Sequence, residues 1–254
     1  MSAREQEGHS FIFIGGLHRS GTTLLGRMVA EHPQVSAFAD TGVPADEGQH
    51  LQSVYPPARA YGGPGRFAFA AEAALTERSP LVSEESCSAL LAAWRPHWDT
   101  TLPYLLEKSP PNLIRFRFLQ ALFPDASFVA VVRHPVAVAY ATQKWSRTSI
   151  PALLGHWLAA HDRLAADRPY LKRLAIVRYE ELVAAPQRAV AHLDDFLGLP
   201  GHSPLSEVTS DSNERYFDRW RRDGQGLLAR VVRARTLRRF AGRFEVHGYS
   251  LTDL

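Results

Sequence analysis

The chain has 254 residues, 45% hydrophobic and 22% charged, an ordinary globular composition that leads us to expect a single domain over 1–254 around one sizeable core. Lys and Arg number 29 against 26 Asp and Glu, and the net charge of +3 is only a mild bias towards anionic ligands. The single cysteine, Cys87, excludes an internal disulfide and a cysteine-rich zinc site; the polar opening MSAREQEGHS and the lack of any run near roughly 18 apolar residues predict a cytoplasmic protein with no membrane contact.

In chain order, FIFIGG at 11–16 is rich in β-branched and aromatic residues and predicts a buried strand. A turn leads into TTLLGRMVAEH at 22–32, a helical pattern closed by Pro33. Residues 36–106 change character: the stretch 40–66 is dense in Gly and Pro, and a more helical stretch follows, which predicts a loop-rich and helical insertion over the site. NLIRFRFLQALF at 112–123 is helical and closed by Pro124. SFVAVV at 127–132 is a second buried strand and VAVAYATQKW from 136 a helix. RLAIVRY at 173–179 predicts a third buried strand, and QRAVAHLDDFLGL at 187–199 a helix before Pro200. Strand and helix alternate, which predicts an α/β fold: a parallel β-sheet flanked by helices, with ligands beyond the carboxyl ends of the strands.

The first strand, turn and helix have the spacing of a phosphate-binding loop, GxxxxGK[ST], in Gly16 and Gly21, so the sheet is expected to be P-loop-like. The lysine position holds Thr22, followed by Thr23, while Arg19 stands inside the loop between His18 and Ser20. Backbone N–H groups and the positive end of the helix dipole still favour an anion, by about 0.3–1 kcal/mol for the dipole alone. Loss of the lysine argues against the clamp on β and γ phosphates that triphosphate cleavage uses. A plain strand-to-helix turn capped by Ser20 or Thr22 is the simpler alternative, and it leaves Arg19 without a task.

GGLHRSGTTLL resembles the 5′-phosphosulfate loop of sulfotransferases that use 3′-phosphoadenosine 5′-phosphosulfate (PAPS), and the RSGTT form with a later HP is similar to tyrosylprotein sulfotransferases and their bacterial relatives. The resemblance implies that the loop holds the 5′-phosphate and sulfuryl group of this donor, and that no metal is required. FVAVVRHPVAVAYA sets Arg133 after the second strand, where a guanidinium can fork onto phosphate. The family's 3′-phosphate motif begins with such an arginine. Its serine eight residues on falls here on Ala141, with Thr142 beside it as a substitute and Lys144 as another. Tyr179, in VRYEELV, matches a recurrent family phrase and is equally readable as a core aromatic; Arg133 is also readable as a surface ion pair.

Sulfuryl transfer to a hydroxyl needs a base for the acceptor's proton and cations for charge on the leaving phosphate. EKSPPN places Lys108 before a proline-fixed turn, and similar family phrases carry a lysine near the donor, to act with Arg19. For the base, counting from the loop arginine as in tyrosylprotein sulfotransferases arrives at Asp40. DEGQHLQ beyond it offers Asp46, Glu47 and His50, and if Glu47 begins a helix, Glu47 and His50 share a face. Glu47 is preferred over Asp40, with His50 assisting.

The arginine-rich tail at 205–254 can lay Leu228, Val231, Val232, Leu237, Phe240 and Phe244 along one helical face, leaving its arginines solvated or one of them on the 3′-phosphate. No nucleic-acid module and no metal motif accompany it. The expectation is a sulfotransferase moving the sulfuryl group from PAPS to a hydroxyl of a small metabolite, the acceptor site formed partly by 36–106, where Tyr55, Tyr61, Phe67 and Phe69 either line a pocket or pack. The alternatives are a P-loop kinase or nucleotide hydrolase, and a nucleotide-binding module without catalysis.

Overall fold

Phe11, Ile12, Phe13 and Ile14 alternate along the first strand, and this alternation divides the interior into two cores, one on each face of the sheet. The computed structural model describes residues 8–201 and 213–253, without the side chains of 227–229 and 241. The elements run β1 (Ser10–Gly16), α1 (Thr22–Ala30), β2 (Val35–Ala37), α2 (Glu84–Trp94), β3 (Tyr104–Lys108), α3 (Phe116–Leu122), β4 (Ser127–Val132), α4 (Pro135–Ser146), α5 (Ile150–Asp167), β5 (Leu174–Arg178), α6 (Tyr179–Ala184), α7 (Pro186–Leu197), α8 (Glu214–Asp223) and α9 (Leu227–Glu245). The sheet is parallel throughout, in the order β2-β3-β1-β4-β5. Successive strands lie to both sides of β1, so the loop after β1 opens at the point where the strand order reverses.

Phe11 and Phe13 face one core with Phe128, Trp94, Trp98 and Phe123, their ring centroids 4.8–6.0 Å apart in the closest pairs. Ile12 and Ile14 face the other with Val129, Val131, Leu25, Met28 and Val190. Burying one such side chain stabilises by about 1.5–3 kcal/mol. Gly15 has no room for more: a Cβ there would stand 2.4 Å from the Leu113 nitrogen, because the turn Pro110–Ile114 crosses directly over β1.

The parallel α/β architecture expected from the sequence is present, with two strands that were not predicted. β2 is three residues long, and β3 ends in Glu107 and Lys108, so neither reads as an apolar run; 36–37 and 104–106 belong to the sheet and only the span between them is insertion. α5 was also not predicted. The segment at 173–179 is an edge strand, β5, with partly covered side chains and Ile176 43% exposed, because only β4 pairs with it.

Within the insertion, short 3₁₀ turns precede α2. Arg115, 1% exposed, donates from Nε to the Ala73 carbonyl (3.0 Å) and from Nη2 to the Pro56 carbonyl (3.0 Å), with the Tyr55 ring beside it. His156 Nε2 accepts the Ala68 N–H at 3.2 Å, so the ring proton sits on Nδ1. Tyr55 and Phe67 therefore pack into the core, while Phe69 is exposed. In α9 the buried stripe is Thr236, Phe240 and Phe244, at i, i+4 spacing; Val232, one turn earlier on the same row, is half exposed beside a recess, and Val231, also half exposed, falls off the row, which corrects the face expected for the tail. The side chain of Leu228, the tail residues 205–212 and 254, and the opening 1–7 lie outside the described residues. No helix among the described residues is long and apolar enough to cross a membrane.

Two substitutions check this packing. Gly15→Ala should cost about 1–3 kcal/mol by overpacking, read as roughly 2–4 °C of melting temperature per kcal/mol. Gly242→Ala, in α9 with open space around it, should instead gain about 0.5–1 kcal/mol. Equal effects of the two on thermal unfolding would contradict the packing described.

Candidate active site

The loop between β1 and α1 turns through two left-handed residues, Arg19 at φ 72° and Gly21 at φ 107°. Ser20 N–H donates to the Leu17 carbonyl at 3.0 Å and closes the turn. A Cβ on Gly16 would lie 2.6 Å from Ser20 Oγ and 2.7 Å from the Val131 carbonyl, and one on Gly21 would lie 2.5 Å from the Tyr179 ring. Gly16 is therefore demanded by contact, and Gly21 by contact as well as by its left-handed backbone. No side chain caps α1 and its first turn holds no acid, so its N–H groups and positive dipole end face the loop without a protein anion. Ser20 Oγ and His18 Nδ1 are buried with no hydrogen-bond partner among the described residues. This donor-rich cradle fits an anionic group.

His18, Arg19, Thr22 and Thr23 line a cleft of about 390 Å³ together with Pro44, Ala45, Glu47, Gln49, His50 and residues from 58–64, Pro110 and Trp145. Arg19 holds its guanidinium 5.4 Å from the centroid of Trp145, which is 71% exposed. Burial pushes the His18 imidazole down to about 4, helped by Lys108 and His50, so it is neutral at neutral pH and Arg19 carries the loop's charge.

Arg133, buried at the carboxyl end of β4, donates from Nη1 to the Arg19 carbonyl (3.1 Å) and from Nε to Asn213 Oδ1 (2.8 Å), and its guanidinium lies 3.9 Å from the Tyr179 ring centroid. Tyr179 is thus a platform between Arg133 and Gly21. Thr142 is buried with Oγ1 3.4 Å from the His18 carbonyl, directed at the back of the phosphate loop, and Lys144 is exposed on α4.

On the opposite wall, Glu47 is 7% exposed, with Oε1 3.5 Å from Lys108 Nζ and Oε2 accepting from Gln49 Nε2 at 2.5 Å. Lys108 also donates to the Ala45 carbonyl at 2.9 Å, reaching Glu47 from a neighbouring recess of about 160 Å³ shared with Thr23, Arg27 and Asp46. Glu47 precedes a single 3₁₀ turn, Gly48–His50, which brings His50 Nε2 to 3.8 Å from Glu47 Oε2 as their spacing predicts. Burial raises the Glu47 carboxyl above its ordinary range, against the opposing pull of Lys108 and Gln49. Burial, then Arg59 and Lys108, lower His50 and leave it neutral. Asp40 does not join this group: it is exposed, left-handed at φ 52°, and absent from the cleft wall. Tyr55, Tyr61, Phe67 and Phe69 are absent from it too.

What holds Glu47 in place was not predicted. Glu107, fully buried, accepts from Gly48 N–H (2.9 Å), Ser109 Oγ (2.5 Å) and Asn112 Nδ2 (2.5 Å). Burial still pushes it up to about 7. Gln49 N–H donates to Ser109 Oγ and Trp94 Nε1 to the Gly48 carbonyl. The acid directly before the lysine of EKSPPN was the available signal.

A parallel sheet with a phosphate-type loop at its switch point, a second arginine beside it and a buried acid and lysine opposite define an α/β protein of P-loop-like fold. The chain belongs to the sulfotransferase family, which it matches over residues 11–204. It is 25% identical over 228 residues to protein-tyrosine sulfotransferase 2 of Gallus gallus, an alignment covering 80% of this chain and 59% of that one. Across four such relatives the chain spans 44–61% of their length. Among solved structures, the sulfotransferase from Alicyclobacillus acidocaldarius matches with TM-score 0.53 at 17% identity, covering 96% of this chain and 98% of that one. The sulfotransferase domain from the curacin biosynthetic pathway matches with TM-score 0.51 at 18% identity over 87% and 82%. These last two establish the fold. No group of three or more His, Cys, Asp or Glu placed to hold a metal occurs among the described residues.

The anchoring of Glu47 is open to test. A Cβ on Gly48 would stand 2.6 Å from Glu107 Cγ, which is itself fixed, so Gly48→Ala should lift the 47–50 segment. The expected result is a loss of about 1–3 kcal/mol in stability and faster hydrogen exchange at the Gln49 amide; an unchanged amide would show that Glu107 does not hold the segment.

Proposed function

We propose that the protein transfers a sulfuryl group from PAPS to the hydroxyl of a small acceptor. The observation that carries this reading is that His18, Arg19, Thr22 and Thr23 of the phosphate loop share one cleft with Glu47 and His50. When bound, PAPS supplies the sulfuryl group on a phosphate that leaves with added negative charge. The loop N–H groups, Ser20, Thr22 and Thr23 would hold its 5′ end, and Arg133 over Tyr179 its 3′-phosphate.

Glu47 takes the acceptor's proton. Lys108 favours the ionised carboxylate against the effect of burial, and neutral His50, 3.8 Å away, keeps a further proton site beside it. Arg19, on the loop side, with Lys108 behind Ala45, supplies cationic charge towards the leaving phosphate. The cleft is of small-ligand size, and its walls include Pro44, Ala58, Pro64, Pro110 and Trp145, flat apolar groups suited to a planar acceptor. The relatives named as protein-tyrosine sulfotransferases make a phenol the first acceptor to try.

The test is transfer of labelled sulfur from PAPS to a panel of phenols and alcohols. Glu47→Gln should cut turnover at least about a hundredfold and leave nucleotide affinity intact; near-normal turnover would move the base to His50. Because the Glu47 carboxyl is raised, activity should rise with pH through a limb above the ordinary carboxylate range of 4.5. Lys108→Met removes a cation that lowers this value and should move the limb to higher pH. A limb unmoved by Lys108→Met would contradict the coupling.

A further inference from the structure

Glu180 follows Tyr179 at the start of α6 and does not line the cleft. Its carboxylate nevertheless gathers three donors from distant parts of the chain. Oε1 accepts the His134 N–H at 2.9 Å and Asn213 Nδ2 at 2.7 Å, and Oε2 accepts the Tyr249 hydroxyl at 3.1 Å. Asn213 passes the link on, since its Oδ1 accepts Arg133 Nε at 2.8 Å. This amide orientation satisfies both neighbours at once, as its NH₂ meets a carboxylate and its oxygen meets a guanidinium.

Arg133 is thereby held on several sides. Tyr179 lies under its plane, the Arg19 carbonyl accepts from Nη1, and Asn213 fixes Nε. Glu180 also binds the N–H of the next residue, His134, so it sets backbone and side chain together. His134 is the cap of α4: its Nδ1 accepts Val136 N–H at 3.2 Å, so Nε2 carries the proton and donates to the Ser250 carbonyl at 2.9 Å. The segment bearing Tyr249 and Ser250 thus docks on the same motif, with Arg178 donating to the His247 carbonyl at 3.0 Å. A guanidinium recognises phosphate by a directional fork, and a buried one cannot recover a lost orientation by swinging through solvent.

We propose that Glu180 is a positioning residue that orients Arg133, through Asn213 and the His134 backbone, towards the 3′-phosphate of the nucleotide. The proposal rests on the reading of Arg133 given under Proposed function. It predicts selectivity for a phosphate at the 3′ position, whereas a general structural role would weaken every nucleotide alike.

The experiment is calorimetric titration of Arg133→Ala, Asn213→Ala, Glu180→Ala and Glu180→Gln with adenosine 3′,5′-bisphosphate and with adenosine 5′-monophosphate. Asn213→Ala and Glu180→Ala should each lower the preference for the bisphosphate by about tenfold with monophosphate affinity retained. Glu180→Gln should stay within about threefold of the parent, because its amide oxygen still accepts from His134 and Asn213 while its NH₂ donates to the Tyr249 hydroxyl. If Glu180→Ala does not fold, Asn213→Ala carries the same test from the partly exposed start of α8. Preference lost in Arg133→Ala and kept in both Asn213→Ala and Glu180→Ala would overturn the proposal, as would equal losses for the two nucleotides. Preference kept in Arg133→Ala would overturn the reading of Arg133 itself.

Discussion

The candidate site depends on a carboxylate with no access to solvent. Glu107 stands at the carboxyl end of β3 and receives Gly48 N–H, Ser109 Oγ and Asn112 Nδ2. An unpaired carboxylate there would cost several kcal/mol, and one of the three donors that offset that cost, Gly48 N–H, is in place only while the 48–50 turn stays seated on the sheet. The position of Glu47 follows from this constraint, since it is the residue immediately before the seated turn. Lys108, the next residue along β3, then reaches the Glu47 carboxylate and the Ala45 carbonyl. The turn after β3 serves the other wall as well, because Asn112 Nδ2 also donates to the Ile14 carbonyl and Ser109 N–H to the same atom, tying β3 to the strand that delivers the phosphate loop.

The phosphate loop was legible because its information is local: Gly16, Arg19 and Gly21 fall within six consecutive residues, and their backbone geometry needs no distant partner. The alternation FIFI likewise announced a strand buried on both faces. β2 and β3 were not legible, one being too short and the other ending in two charged residues whose partners include Gly48, Glu47 and Ala45, 59–63 residues away in the chain. β5 read as buried because its composition is apolar, whereas burial is decided by having a strand or helix on each side. Val231 and Val232 failed for a similar reason: Val231 lies off the row that α9 turns inward, and Val232 is on that row but borders an open recess.

The base position shows why counting along the chain is a weaker guide than a hydrogen bond. Spacing from the loop arginine points to Asp40, but left-handed backbone at Asp40 and Asp46 turns the chain, and the residue that reaches the lysine is Glu47. The i, i+3 relation between Glu47 and His50 survived because one 3₁₀ turn preserves it. Glu180 and Asn213 carried no signal of their own, since 33 residues separate them and their link appears only when α6 and α8 pack around Arg133.

The two walls of the cleft hold different chemistry, an uncapped helix start with arginines on one side and a raised carboxyl with a lysine on the other. That division is the one the proposed sulfuryl transfer calls for, an anion held on one wall and a proton taken on the other. The most direct measurement is calorimetric titration of the unmodified protein with adenosine 3′,5′-bisphosphate and with ATP, each with and without magnesium. Tight, magnesium-independent binding of the bisphosphate with weaker binding of ATP is the predicted result; preference for magnesium-ATP, or binding of neither, would contradict it.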